Sequence, residues 1–147
     1  MKHIPTIITL VSACIALADG WMKYIALKNL PNTEGSLNPI IDITLHKNPG
    51  IAFDIPIPFL VIATITIIII IALGFYIHKN REKNPINAAF AGTIIIGSLG
   101  NLIDRAINGF TTDYILIGGR SVINLADILI VTGVIFLILY TERKDKN

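Results

Sequence analysis

Nineteen consecutive residues, Phe59 to Ile77, contain no charged side chain and include an unbroken isoleucine run from Ile67 to Ile71. A bilayer core of about 30 Å is crossed by roughly 20 apolar residues in a helix, so length alone makes this stretch a membrane span. The rest of the chain agrees. With 53% hydrophobic and 15% charged residues among 147, and a mean hydropathy of +0.69, it is too apolar for a soluble domain of its size. The length accommodates four short-looped spans and excludes a separate soluble domain.

Three more spans follow from the same reasoning. Ile4 to Ala18 is apolar behind Lys2 and His3, and it imitates two targeting signals. Ala16-Leu17-Ala18 resembles a small-residue cleavage site, and Val11-Ser12-Ala13-Cys14 resembles a lipobox. Against cleavage, apolar character continues past Cys14, and Asp19 and Lys23 follow at i, i+4 on one face of a continuing helix. Pro85 fits the first turn of a third span, where its missing N–H is harmless, and Gly92, Gly97 and Gly100 suit close helix approach. Ile123 to Tyr140 is the fourth. Between the first two spans, Pro31, Pro39, Pro49, Pro56 and Pro58 exclude a long helix, while Ile40 to Leu45 and Ile51 to Ile55 read as strands flanking a turn. Thr111 to Leu116 reads as a further strand around Asp113. The expected fold is an all-α membrane protein of four transmembrane helices with a small external antiparallel β-sheet. It forms one integral membrane domain over residues 1–147, with spans at about 4–26, 59–77, 85–103 and 123–140 and external loops at 27–58 and 104–122.

Short cytoplasmic loops carry the excess of lysine and arginine. Lys2, Lys79, Arg81, Lys83, Arg143, Lys144 and Lys146 fall on one side of such a bundle, seven of the twelve, which makes both termini cytoplasmic. Asp19, Asp104, Asp113 and Asp127 then converge at the outer face. Carboxylates at the edge of a membrane span face protein or water, pair with other groups, and mark function. The lone cysteine, Cys14, excludes an internal disulfide or a thiolate metal cluster, and His3, His46 and His78 lack ligand spacing, so no metal is expected. No Ser/His or Cys/His arrangement is available for nucleophilic catalysis.

Two carboxylates held close in a poorly hydrated place share a proton and titrate as a pair. The ionised member then takes a proton from water while the other donates to a carbonyl, which splits a peptide bond without metal or cofactor. Spacing leaves either Asp104 or Asp113 as partner for Asp127. Asp104 has Arg105 beside it as a counter-ion, Asp19 has Lys23, and Asp113 has no neighbouring cation. A small proton- or cation-coupled transporter is the competing reading, but it favours acids near the bilayer midplane, and spans two and three have no charge at their centres. A non-catalytic assembly protein whose polar residues glue helices together is a third.

The pieces Asp19-Gly-Trp-Met-Lys23, Lys47-Asn48-Pro-Gly50-Ile-Ala52-Phe53, Gly97-Ser-Leu-Gly100-Asn101-Leu-Ile-Asp104-Arg105, Thr112-Asp113-Tyr114-Ile115 and Asn124-Leu-Ala126-Asp127 occur in an order that resembles bacterial lipoprotein signal peptidase, signal peptidase II. The resemblance covers nearly the whole chain. It implies an aspartic endopeptidase of the bacterial cytoplasmic (inner) membrane, multi-pass and monomeric, with its active site at the outer face, Asp113 and Asp127 as the catalytic pair, and no cofactor. It also implies lipid-modified prolipoprotein substrates cut just before the diacylglyceryl cysteine, contact with membrane lipid, and no nucleic-acid partner. Asn48, Asn101, Asp104, Arg105 and Asn124 match family positions that line or support the site, and Asp19 and Lys23 join them as supporting residues. Four features depart from the family pattern. A glutamine is replaced by Gly20, an aromatic by Ile123, two valines by Thr111-Thr112, and the loop between the paired acids is shorter.

Overall fold

The computed structural model describes residues 3–30, 41–51 and 55–145, with side chains to Thr141. Within them the chain runs through helix α1 (Ile4–Asn29), strand β1 (Ile41–Asn48), helices α2 (Phe59–Asn80) and α3 (Pro85–Asn108), strands β2 (Thr111–Ile117) and β3 (Ser121–Ile123), and helix α4 (Leu125–Asp145). Helices α1, α2 and α3 are long and apolar enough to cross a membrane, and α4 contributes a shorter apolar segment, Leu125–Thr141.

Local chemistry sets the helix limits. Leu30, which precedes Pro31, is extended at φ −92° and ψ 136°, the conformation that a following proline favours, so α1 stops there. Pro85 opens α3. That helix continues beyond Ile103 until Gly109, whose φ of 81° is a left-handed conformation that glycine adopts without a Cβ clash and that closes the last turn. Its N–H donates to the Arg105 carbonyl at 2.9 Å. Asp104 and Arg105 therefore lie in the last turns of α3. Ile123, expected to open the last helix, instead ends β3, and α4 begins at Leu125.

The bundle is organised on α3, which packs against α1, α2, α4 and β2. At Gly97 a Cβ would lie 2.7 Å from the Ala126 carbonyl oxygen, and at Gly133 it would lie 2.6 Å from Ile94 Cγ1, so glycine on each partner permits the close α3–α4 approach. Gly92, expected to do the same, faces open space, and Gly100 makes only ordinary contact. Phe90 stacks on Phe136 with ring centroids 5.1 Å apart. Ser12 and Thr93 share a 2.8 Å hydrogen bond between α1 and α3. The outward surface is apolar, with Leu17, Leu60, Ile68, Phe75 and Ile107 exposed, whereas Asp19, Lys23, Asn101, Asp104 and Asp113 are buried. This reverses the arrangement of a water-soluble fold.

The antiparallel sheet has the order β1-β2-β3. Its neighbour for β1 is β2, and the strand expected over Ile51 to Ile55 falls largely on residues 52–54, outside the described residues. Between the Ile43↔Ile115 and His46↔Asp113 pairs the register shifts. Thr44 and Leu45 together oppose Tyr114, a bulge that buries two successive side chains.

Candidate active site

Strand β2 has two faces of opposite purpose, because successive strand side chains alternate. Thr112 and Tyr114 point to one side. The Thr112 N–H donates to Asp104 Oδ2 at 2.7 Å and its hydroxyl to Oδ1 at 3.2 Å. The Tyr114 hydroxyl donates to Asp19 Oδ1 at 2.9 Å and accepts the Leu125 N–H at 3.3 Å. Burial and the nearby Asp19 charge push the Tyr114 phenol upward, which keeps it a neutral donor. Lys23 completes this side, with Nζ 2.9 Å from Asp19 Oδ2 and 3.4 Å from Asp104 Oδ2. The expected pairing of Asp104 with Arg105 is thus replaced: Lys23 serves both acids, and Arg105 instead donates to the Gly50 carbonyl at 2.8 Å. At i, i+1 on a helix the two side chains diverge by about 100°, whereas Lys23 reaches Asp104 across the α1–α3 contact.

Thr111 and Asp113 point the other way, into a cavity of about 330 Å³ that Asn48, Arg105, Ser121 and Asp127 also line, with apolar walls from Val122, Ile123, Ile130 and Val131. Asp113 comes from β2 and Asp127 from the first turn of α4, so the structure brings both acids to one cavity and leaves Asp104 on the opposite face of the strand.

Three asparagines hold the two acids. Asn48 Nδ2 donates to Asp113 Oδ2 at 3.1 Å, Asn124 Nδ2 to Asp113 Oδ1 at 2.6 Å, and Asn101 Nδ2 to Asp127 Oδ1 at 2.8 Å. In each amide the oxygen is already engaged by a group that only donates. The Gly50 N–H reaches Asn48 Oδ1 at 2.9 Å, the Asp127 N–H reaches Asn124 Oδ1 at 2.9 Å, and Lys23 Nζ reaches Asn101 Oδ1 at 2.8 Å. The amide nitrogen must then face the carboxylate, so chemistry fixes all three orientations. Asn124 and Asp127 also form a reciprocal cap at the start of α4, because the Asn124 N–H donates to Asp127 Oδ2 at 3.2 Å. This is the capping-box arrangement with asparagine and aspartate in the two roles. Asn124 therefore touches both acids and ties their separation to the helix terminus.

Burial first, and then the charge of Asp127, push the Asp113 carboxyl up to about 7, with the Asn48 and Asn124 amides and Lys23 pulling the other way. Near neutral pH the Asp113 carboxyl is thus poised between its acid and base forms, the condition for general acid–base work. Among the described residues no cluster of side chains suited to hold a metal ion occurs, and Cys14 lies exposed on α1, away from this cavity.

Sequence reasoning placed little weight on Thr112 and Tyr114, which hold the supporting acids. Strand alternation around Asp113 was the available signal, since it sends the neighbours of a cavity residue to the opposite face.

A mostly helical membrane protein with two amide-held carboxylates in one partly apolar cavity has the layout of a membrane-embedded acid–base enzyme. Comparison with known proteins specifies which. The family model for Signal peptidase (SPase) II matches residues 11–142, and the chain belongs to that family; it is an aspartic peptidase, which sets the transporter reading aside. The lipoprotein signal peptidase of Halothermothrix orenii is 32% identical over 140 residues, covering 93% of this chain and 96% of its own. That of Bartonella tribocorum is 39% identical over 134 residues, covering 85% and 80%. A bacterial membrane enzyme solved by the in meso method at 2.3 Å resolution has a TM-score of 0.82 and 29% identity, over 97% of this chain and 90% of that one.

Proposed function

We propose that the chain removes the signal peptide from diacylglyceryl-modified prolipoproteins, cutting just before the lipidated cysteine, with Asp113 and Asp127 as the catalytic pair. The observation that carries this reading is Asn124, which contacts both carboxyls, its side-chain amide donating to Asp113 at 2.6 Å and its backbone N–H donating to Asp127 at 3.2 Å. The ionised member of the pair takes a proton from a water molecule, which attacks the scissile carbonyl. The protonated member donates to the carbonyl oxygen. The tetrahedral intermediate collapses as the amine leaves with a proton, and the pair returns to its starting state. Asn48, Asn101 and Asn124 position the carboxylates, Arg105 binds substrate at the cavity wall, and Asp19, Lys23 and Asp104 brace the helices and sheet from behind. No cofactor takes part.

The protein is a monomer of four spans in the bacterial cytoplasmic membrane, with α4 as the fourth, lipid around it and the cavity at the outer face. The lysine and arginine distribution supports cytoplasmic termini, and a reporter fused after Asn147 should remain cytoplasmic; an external reporter would reverse the orientation. Asp113→Asn and Asp127→Asn should each lower cleavage of a lipidated prolipoprotein by at least about 1000-fold, the upper range for acid–base groups, while the variants still insert. An unlipidated substrate should be cut poorly by wild type. Retained cleavage in either variant would refute the pair.

A further inference from the structure

We propose that the Thr111 hydroxyl is a substrate-binding group that hydrogen-bonds the peptide backbone of the bound substrate beside the scissile bond. This rests on the peptidase reading and names a contact within the same site. Thr111 is 2% exposed, and its Oγ1 has no hydrogen-bond partner among the described residues. Buried hydroxyls are rarely left so, and an orphan at a functional site calls for a partner that arrives with function. Its side chain is part of the wall of the cavity that holds Asp113 and Asp127. A second orphan, Arg105 Nε, belongs to a residue of the same wall, so two of the three buried side-chain polar atoms without partners among the described residues belong to residues lining the place where a peptide must lie.

The strand supplies the geometry. Thr111 and Asp113 are two apart on β2, hence on one face and separated by about 7 Å along the strand. That distance also spans two residues of an extended peptide. A substrate segment lying along β2 with its scissile carbonyl at the acids places a backbone amide of the next residue but one at Thr111. The hydroxyl can donate to the carbonyl or accept from the N–H of that amide. Thr111 and Thr112 differ in use. Thr112 is spent on Asp104, whereas the Thr111 hydroxyl has no partner among the described residues.

Thr111→Val tests this, because valine keeps the β-branched shape and suits a strand. Removing an orphan hydroxyl should leave the unfolding temperature unchanged or higher, while kcat/KM for a diacylglyceryl lipopeptide spanning the cleavage site falls about 10-fold, the worth of one hydrogen bond. Thr111→Ser should restore it. Binding of the uncleaved lipopeptide, measured in the Asp127→Asn background, should weaken by a similar factor. Replacing the amide two residues from the scissile bond by an ester should penalise wild type more than Thr111→Val. Wild-type cleavage and binding retained in full by Thr111→Val would overturn the proposal, as would a loss that comes with a lower unfolding temperature and is not restored by serine. A wild-type protein that binds but does not cleave, with binding still weakened by Thr111→Val, would overturn the peptidase reading and uphold the Thr111 contact.

Discussion

The two faces of β2 carry the same chemical groups and treat them in opposite ways. Behind the strand, Asp19 and Asp104 are neutralised by Lys23, whose Nζ lies 2.9 and 3.4 Å from them, and hydrogen bonds from Tyr114 and Thr112 occupy further lone pairs. In front of it, among the described residues, the hydrogen-bond donors to Asp113 and Asp127 are neutral, the side-chain amides of Asn48, Asn101 and Asn124 and one backbone N–H. A full counter-charge locks a carboxylate in its ionised form. An amide orients it and offsets only part of the rise that burial and the neighbouring charge impose on its proton affinity. On the proposed function the first pair is structural and the second reactive, with Asn101 as the link, accepting from Lys23 and donating to Asp127.

This contrast predicts unequal responses to mutation. The largest effect on stability should come from Lys23→Met, which strands two buried carboxylates; breaking a buried ion pair from one side costs about 3–5 kcal/mol. Neutralising the partners as well, with Asp19→Asn and Asp104→Asn in the same chain, should recover much of the loss. Thermal unfolding in detergent measures both, and a Lys23→Met protein as stable as wild type would erase the distinction between the faces. Asn124→Ala should have a smaller effect on stability, about 1–2 kcal/mol for a lost helix cap, but a disproportionate one on cleavage, about 10-fold or more, since the same side chain bonds Asp113. Parallel unfolding and activity curves check the split; equal proportional losses would make Asn124 a cap and nothing more.

The mildest effect is a slope. Asp113 holds its proton up to about pH 7, whereas an ordinary aspartate releases it near 3.8. Between those values the folded state binds more protons than the unfolded one, so the Asp113 contribution makes stability fall as pH rises through the window. Asp113→Asn should flatten that dependence of the unfolding temperature relative to wild type. An unchanged slope would show that Asp113 does not govern this pH dependence.

Much of this division was legible in the residues. The charge-free run from Phe59, the strand around Asp113 and the presence of acids at element ends all follow from local patterns. Asn124 and Asp127 stand three apart at a helix start, which is the spacing of a cap. What local pattern does not carry is contact between distant segments. Lys23 lies four residues from Asp19, so that pairing is readable, but its reach to Asp104 depends on how α1 settles on α3. Where α3 ends is set by backbone conformation, since the helix continues until Gly109 turns left-handed. The bulge at Thr44 and Leu45 breaks alternation inside a strand and has no signature in residue type. Gly133 matters only because Phe90 and Ile94 lie against it.

The central claim is that Asp113 and Asp127 act as one unit on one water molecule. Its most direct test compares Asp113→Asn, Asp127→Asn and the double variant in single-turnover cleavage of a lipidated prolipoprotein, each protein checked for insertion. Groups that act together are grossly non-additive, so the double variant should be no slower than either single one. A double variant slower by the product of two partial losses would mean that the acids work independently, and the account of a shared-proton pair would be wrong.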